Sequence, residues 1–273
     1  MIKDSERLFF VNRMKQLMLL IFLSTASLAT HANATPEEEG LRIAREIDRR
    51  DSGFIDNTAS MKMILRNRHG QESKRIIRMR TLEVTGDGDK SLIIFDTPRD
   101  IKGTAFLSYT HVKGQDDQWI YLPALKRVKR IASNNKSGPF MGSEFAYEDL
   151  SSQEVEKYTY RYLKDDTLNG AACFVVERIP TDKNSGYTKQ IVWIDKVLYI
   201  PEKLEYYDRK GSLLKTLTLH DYKQYLDKFW RANRMEMINH QTGKSTTLLF
   251  SQYKFKTGLS EKDFKQNVLK SVR

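Results

Sequence analysis

Three acidic side chains, Glu144, Glu148 and Asp149, cluster on one loop of this chain and are of a type whose chemistry could drive a reaction. Paired carboxylates can act as general acid and general base, as they do in glycoside hydrolysis. These three lie on a polar loop that follows a basic hairpin at residues 126–130. Ion-pair networks also gather carboxylates beside lysines and arginines. We therefore expect them to be salt-bridge partners rather than catalysts.

The other reactive side chains are scattered. His69, His111, His220 and His240 are far apart, and no two have the spacing that places two imidazoles on one metal ion. The chain has one cysteine, Cys173, in an apolar run typical of a buried strand. It has no nucleophile elbow, phosphate loop or dinucleotide fingerprint. We predict a protein that is not an enzyme and needs no cofactor or metal; a catalytic set assembled from distant residues stays open.

A long loop with large apolar side chains is the most informative feature. After the strand-like segment 118–123 and a basic strand at residues 127–131, a polar, glycine-containing loop carries Phe140, Met141, Phe145 and Tyr147. Connections are usually short and polar, so these side chains need apolar surface to cover. This pattern predicts a lid over a lipophilic cavity. The alternative is a loop pinned to an ordinary core by its aromatic residues.

Alternation along the strands indicates which residues face that cavity. Ile120 and Leu122 share one face of their strand, whereas Trp119 and Tyr121 share the other. A shift of one residue would exchange the two faces. Methionines suit a wall for acyl chains because thioethers adapt to varied shapes. The residues expected to line the cavity are Ile120, Leu122, Phe140, Met141, Phe145, Met61, Met63, Ile93, Phe95, Met235 and Met237.

A basic patch lies beside the lid. It consists of Lys126, Arg127, Lys129, Arg130 and Lys136, which fall on both faces of one hairpin. Charged strands are typical of sheet edges, where lysines oppose aggregation. The patch could also dock the cavity on anionic lipid or on an acidic protein face. Both interpretations stay open.

The N-terminus predicts export. Arg13 and Lys15 precede a short apolar run, and small residues lead to an A-x-A site that ends at Ala34. This pattern is typical of a secretory signal peptide spanning residues 1–34, which leaves one domain at residues 35–273. Position 35 is Thr35 rather than the cysteine of a lipoprotein, so we expect a soluble mature protein. The net charge of +11 would suit nucleic acid, but export argues against that partner.

The remaining pattern predicts a mainly β fold. A capping box at Thr35 predicts a helix at residues 37–50, and a second helix is expected at residues 261–270. Between them, about a dozen segments alternate with period two and are joined by turn signals such as Asn169-Gly170. We expect a strongly curved, incomplete antiparallel β-barrel (a half-barrel) with an N-terminal helix, a lid loop or short helix, and a C-terminal helix.

The middle segment resembles the LolA/LolB-type periplasmic lipoprotein carriers, and most closely the LolA-like outer-membrane lipoprotein-sorting proteins. The motifs that match are an aromatic strand ending in proline at residues 118–123, the sequence Pro139-Phe140-Met141, and a strand at residues 91–96 followed by Thr97-Pro98. The resemblance extends over the whole chain after the signal.

The resemblance implies a half-barrel with a lid, a periplasmic location and a role in carrying lipid or lipoprotein acyl chains. It also implies an inner-membrane transporter of the resistance-nodulation-division (RND) class as donor. In the family an inward arginine holds the lid shut, and Arg78 and Arg80 lie in the matching region. Three functions remain open: a lipid shuttle, an accessory subunit that carries nothing, and a hydrolase of envelope lipids.

Overall fold

One antiparallel sheet of thirteen strands forms the body of the protein. The structure is a computed structural model that describes residues 34–271, so the predicted signal peptide lies outside the described residues. The strand order is β6-β5-β4-β3-β2-β1-β13-β12-β11-β10-β9-β8-β7, with β6 and β7 as the two edges. The sheet is therefore not closed, and the predicted antiparallel half-barrel is confirmed. The bounds are β1 Asp56–Arg66, β2 Glu72–Leu82, β3 Lys90–Thr97, β4 Ala105–Tyr109, β5 Asp117–Leu122, β6 Arg127–Arg130, β7 Tyr158–Leu168, β8 Ala171–Pro180, β9 Tyr187–Asp195, β10 Pro201–Asp208, β11 Leu213–Tyr225, β12 Phe229–Asn239 and β13 Ser245–Phe255.

The N-terminal helix α1 (Pro36–Asp51) forms where the capping signal predicts it. The Thr35 amide donates to Glu38 (2.8 Å), and the Glu38 amide donates to the Thr35 hydroxyl (3.2 Å). Ile43 is fully buried. At Gly40, α1 lies so close to β7 that a Cβ atom would sit 2.8 Å from the amide nitrogens of Arg161 and Tyr162. A glycine is therefore needed for this contact.

The sheet has apolar residues on both faces. The larger group, here called the inner cluster, joins α1 to strands from β1 to β13, so that Phe106 of β4 and Leu204 of β10 share one core. Strands so far apart in the order can share a core only because the sheet curls. A smaller outer cluster, which includes Leu92, Ile94 and Leu107, covers the opposite face of β3 and β4.

The C-terminal segment covers the outer cluster, but not as the single helix predicted at residues 261–270. It forms two 3-10 turns, Glu261–Phe264 and Gln266–Lys270, with Lys265 extended between them (φ −64°, ψ 143°). Phe264 and Leu269 are both fully buried. The Tyr109 hydroxyl donates to the Phe264 carbonyl, which takes up an acceptor that a continuous helix would use. Packing on the sheet thus overrides the helical pattern.

Candidate functional site

The segment between the two edge strands crosses the inner face. Residues 131–157, here called the lid segment, connect β6 to β7. The segment contains four 3-10 turns: Ser133–Asn135, Phe140–Gly142, Tyr147–Leu150 and Val155–Lys157. It forms hydrogen bonds with strands throughout the sheet, among them β2, β5, β9, β11, β12 and β13. The lid segment therefore fills the interior that the open sheet leaves.

Phe140 is the apolar centre of this contact. Its side chain is fully buried. Its ring centroid lies 5.8 Å from that of Phe95 on β3 and 5.2 Å from that of Phe106 on β4. Within the lid segment, the Tyr147 ring meets it edge-on at 5.5 Å. Edge-to-face and tilted pairs at these distances are favourable beyond the area they bury.

All eleven residues predicted to line the cavity lie in or against the inner cluster. Eight are buried: Met61, Met63, Ile93, Phe95, Ile120, Phe140, Phe145 and Met237. Leu122, Met141 and Met235 are partly buried against the same cluster. The predicted facing of β5 is also found, since Trp119 and Tyr121 pack on the outer cluster. The structure thus brings these residues together around the lid segment.

Two pockets adjoin the lid segment, and polar residues predominate in the lining of both. The larger, of about 280 Å³, lies where Gly142 and Glu144 meet the turns after β1 and β12. The smaller, of about 80 Å³, lies between the lid segment and β8–β10. Neither resembles the mainly apolar cavity that a lipid chain needs. In this conformation the lid segment itself occupies the apolar interior.

A buried ion pair anchors the lid segment on its polar side. Asp149 accepts from Lys215 Nζ of β11 at 2.7 Å, and the two side chains are 5% and 4% exposed. Lys215 also donates to the Glu144 carbonyl (2.8 Å), while Asp149 accepts from the Tyr187 hydroxyl (2.9 Å) and the Ala146 amide (2.7 Å). Burial, and then the Asp149 carboxylate, raise the pKa of Tyr187 well above its usual range. Each charge in this group thus has several partners, which a buried pair requires.

The other two acids of the predicted group, Glu144 and Glu148, form hydrogen bonds rather than the expected salt bridges. Glu144 accepts from Asn239 Nδ2 (2.7 Å). Glu148 accepts from the Ser185 hydroxyl (2.7 Å) and the Gly186 amide (2.8 Å). Burial raises the pKa of Glu148. The three carboxylates therefore fasten the lid segment to three different strands or turns.

The arginine that meets the lid segment is Arg75, not Arg78 or Arg80. Arg75 Nη1 donates to the Met141 carbonyl at 2.6 Å, and its guanidinium lies 5.9 Å from the Phe95 ring centroid. Burial lowers the pKa of Arg75. Arg78 instead forms a bidentate ion pair with Asp96, with its shortest contacts at 2.8 Å.

The basic patch divides into two groups. The predicted edge position of β6 is found, and Lys126, Arg127 and Lys129 are exposed. Arg130 is paired with Asp117, and Lys136 of the lid segment is paired with Asp182. Among the described residues, Lys126, Arg127 and Lys129 are thus exposed and outside any ion pair, whereas Arg130 is exposed within one and Lys136 is mostly covered.

Residues 34–271 contain no group of three His, Cys, Asp or Glu side chains arranged to hold a metal ion. In the same range, no helix combines the length and apolar character needed to cross a membrane.

Three solved structures share this architecture. A domain from Vibrio parahaemolyticus, described as an outer membrane lipoprotein-sorting protein, is 64% identical with a TM-score of 0.85, and the match covers 86% of this chain and 99% of that one. A DUF1329 family protein from Desulfovibrio piger is 28% identical with a TM-score of 0.82 (86% and 100% covered). A LolA superfamily protein from Nitrosomonas europaea is 19% identical with a TM-score of 0.69 (86% and 100% covered).

A family model described as an uncharacterized protein matches residues 87–271. No curated protein matches the chain. The open antiparallel sheet with a crossing segment is thus the LolA-like fold. The chain belongs to the outer membrane lipoprotein-sorting family represented by the Vibrio domain.

Proposed function

We propose that this protein carries a lipid, or the acyl chains of a lipoprotein, towards the outer membrane within its half-barrel. The observation that carries the proposal is the position of Phe140. A fully buried aromatic side chain at the centre of the inner cluster comes from the lid segment and not from the sheet. Movement of that one segment would expose an apolar groove walled by methionines and other apolar residues without breaking the sheet.

Burying an acyl chain and exposing the apolar side chains of the lid segment involve free energies of similar size. Burying one methylene contributes about 0.8 kcal/mol, so an acyl chain of about fifteen carbons contributes roughly 12 kcal/mol. Exposing Phe140, Met141, Phe145 and Tyr147 would cost about 1.5–3 kcal/mol each, or roughly 6–12 kcal/mol together. An acyl chain could therefore offset the apolar cost of displacing these side chains; the polar contacts of the lid segment with Lys215, Asn239 and Arg75 would have to break in addition.

The sequence and the family support a proposal for the processing and location of this carrier, here called its setting. We propose that residues 1–34 are removed on export, that residues 35–273 act as one soluble periplasmic domain, and that the protein is not an enzyme. The name of the Vibrio relative, a lipoprotein-sorting protein, supports this setting. An RND-class transporter as donor is an inference from the resemblance alone.

A second candidate is an accessory subunit that carries no lipid. One observation favours it: the lid segment fills the interior, and the two pockets beside it are lined mainly by polar residues. In that case the lid segment would be a permanent part of the core.

Lipid bound to protein purified without detergent separates the two candidates. A pair of neighbouring variants on opposite faces of β5 makes the test specific, because Leu122 packs on the inner cluster and Tyr121 on the outer cluster. We expect mass spectrometry to find lipid on the wild type and on Tyr121→Glu, and much less on Leu122→Glu. Circular dichroism checks that both variants fold. Equal lipid on the two folded variants would refute the assignment of the inner face.

A further inference from the structure

The turns at one end of the sheet surround the tip of the lid segment. The strand pairings place the turns at residues 67–71, 98–104, 123–126, 181–186, 209–212 and 240–244 at the same end. The tip residues Gly142 and Glu144 lie there too, since they share a pocket with Asn67, Gln71 and Lys244. We call this end the mouth end, because the tip of the lid segment reaches solvent there, next to the interior of the sheet.

Every one of the six turns carries a positive charge. One such residue from each turn is Arg68, Arg99, Lys126, Lys183, Lys210 and Lys244, and Lys102 and Arg209 add a second in two of them. All eight are exposed, and none forms an ion pair with any acid among residues 34–271. The turns contain only two acidic residues, Asp100 and Asp182, and Asp182 is already paired with Lys136.

The opposite end of the sheet has no such excess. Its turns at residues 52–55, 83–89, 110–116, 169–170, 196–200, 226–228 and 256–260 contain five acidic and four basic residues. Among the turns of residues 34–271, the excess positive charge thus lies at the mouth end. A charge asymmetry of this kind orients a protein in front of an anionic surface before contact.

The composition of the six turns distinguishes a lipid surface from a protein partner. Protein interfaces concentrate their binding energy in a few Trp, Tyr and Arg anchors seated in pockets. The six turns contain no Trp, Tyr or Phe, and their cations are spread over separate turns. Leu125, which is 52% exposed, lies beside Lys126. Dispersed cations with an exposed aliphatic side chain suit a layer of anionic headgroups.

We propose that the mouth end docks on an anionic lipid bilayer, so that the lid segment opens towards the membrane. The direction of opening rests on the proposed carrier function, whereas docking itself can be measured without cargo. The predicted patch on β6 then forms one part of a surface that includes all six turns. Binding of this type weakens as salt rises, because exposed charges are screened over about 10 Å at ordinary ionic strength.

Two matched triple variants of the folded unit that begins at Thr35 test the proposal. The first changes Lys102, Lys183 and Lys210 at the mouth end to glutamine. The second changes Lys113, Lys254 and Lys256, near the opposite end, to glutamine. All six lysines are exposed and outside the ion pairs of the described chain, so both variants lose the same charge. Binding is measured by co-sedimentation with vesicles of phosphatidylcholine alone or with about one third phosphatidylglycerol.

We expect the wild type to bind only the anionic vesicles, with an affinity that falls as salt is added. The mouth-end variant should bind at least about tenfold more weakly, and the opposite-end variant should bind like the wild type. Equal losses in both variants, or no binding of the wild type to anionic vesicles, would overturn the proposal. The latter result would point to an acidic protein partner. Absence of bound lipid in the preceding test would leave this result unaffected, so failure of the two proposals can be told apart.

Discussion

At the scale of single residues, Arg75 is the contact between the sheet and the tip of the lid segment. The change Arg75→Ala removes its hydrogen bond to the Met141 carbonyl. We expect faster hydrogen exchange at the Phe140 and Ser143 amides, whose own hydrogen bonds stay within the lid segment at 2.7 and 2.9 Å. Arg78→Ala is the control because Arg78 pairs with Asp96 instead. Equal exchange in the two variants would show that Arg75 does not restrain the lid segment.

The buried pair of Lys215 and Asp149 should be a large single contribution to stability. Lys215→Ala leaves the Asp149 carboxylate buried without its counter-ion, which costs about 3–5 kcal/mol in the free energy of unfolding. The control is Lys189→Ala, since Lys189 in the Lys189–Glu177 pair is 39% exposed, against 4% for Lys215, and should contribute less than about 1 kcal/mol. Urea unfolding measures both. A loss for Lys215→Ala no larger than that of the control would contradict the assigned role.

Two aspartates in the turn before β3 should give opposite pH effects. Burial, and then Glu154, raise the pKa of Asp89 to about 7, whereas the His111 hydrogen bond holds the pKa of Asp87 at about 2. Asp89 therefore destabilises the folded state progressively as pH rises from 3.8 to about 7, and the full loss persists above that; the stabilisation by ionised Asp87 is fully present above 3.8 and is lost as pH falls towards about 2. At about pH 8 we expect Asp89→Asn to unfold at higher urea than the wild type and Asp87→Asn at lower urea. Shifts of the same sign in both variants would contradict this account.

At the scale of elements, the contact between α1 and β7 depends on a missing side chain. Gly40→Ala would place a Cβ atom 2.8 Å from two backbone nitrogens of β7. Overpacking of this kind costs about 1–3 kcal/mol, which should outweigh the roughly 1 kcal/mol that alanine gains in a helix. We expect a net loss of stability in urea unfolding. The exposed Arg45→Ala on the same helix should change stability by less than about 0.5 kcal/mol. A more stable Gly40→Ala would show that α1 can move away from β7.

The elements that the sequence predicts well are those with strong local signals. The capping box at Thr35 forms as expected, and Asn169 and Gly170 both adopt positive φ (51° and 85°) in the β7–β8 turn. The C-terminal helix is not found, because its apolar residues Phe264 and Leu269 follow the surface of the sheet instead. Local pattern cannot anticipate a contact that is distant in sequence.

Strand alternation also made part of the site predictable. Alternation along β2 places Arg75 on the face of Ile77, which belongs to the inner cluster, so the parity of the strand could have selected Arg75 over Arg78 and Arg80. Lys215 likewise shares its face with Leu217 and Leu219 of the inner cluster, which signals a buried partner. That partner, Asp149, lies in a segment without periodicity. Only the folded chain reveals it.

At the scale of the whole molecule, two features lie at the same end of the sheet, namely the tip of the lid segment and the charged turns. The lid segment fills the interior of an open sheet, and among the described turns those around its tip hold the excess positive charge. A carrier needs both features, because it must exclude water from its cargo in transit and open at a membrane. A permanent structural subunit would use the same segment as fixed core and would not need a charged mouth.

Transfer of lipid between two vesicle populations tests the central claim most directly. Donor vesicles contain a fluorescent acyl phospholipid, acceptor vesicles contain none, and a porous barrier keeps the two apart while the protein passes. We predict that the rate rises in proportion to wild-type protein, stays similar for Tyr121→Glu and falls towards the protein-free rate for Leu122→Glu. Transfer no faster with the wild type than without protein, at any concentration tested, would contradict the carrier account.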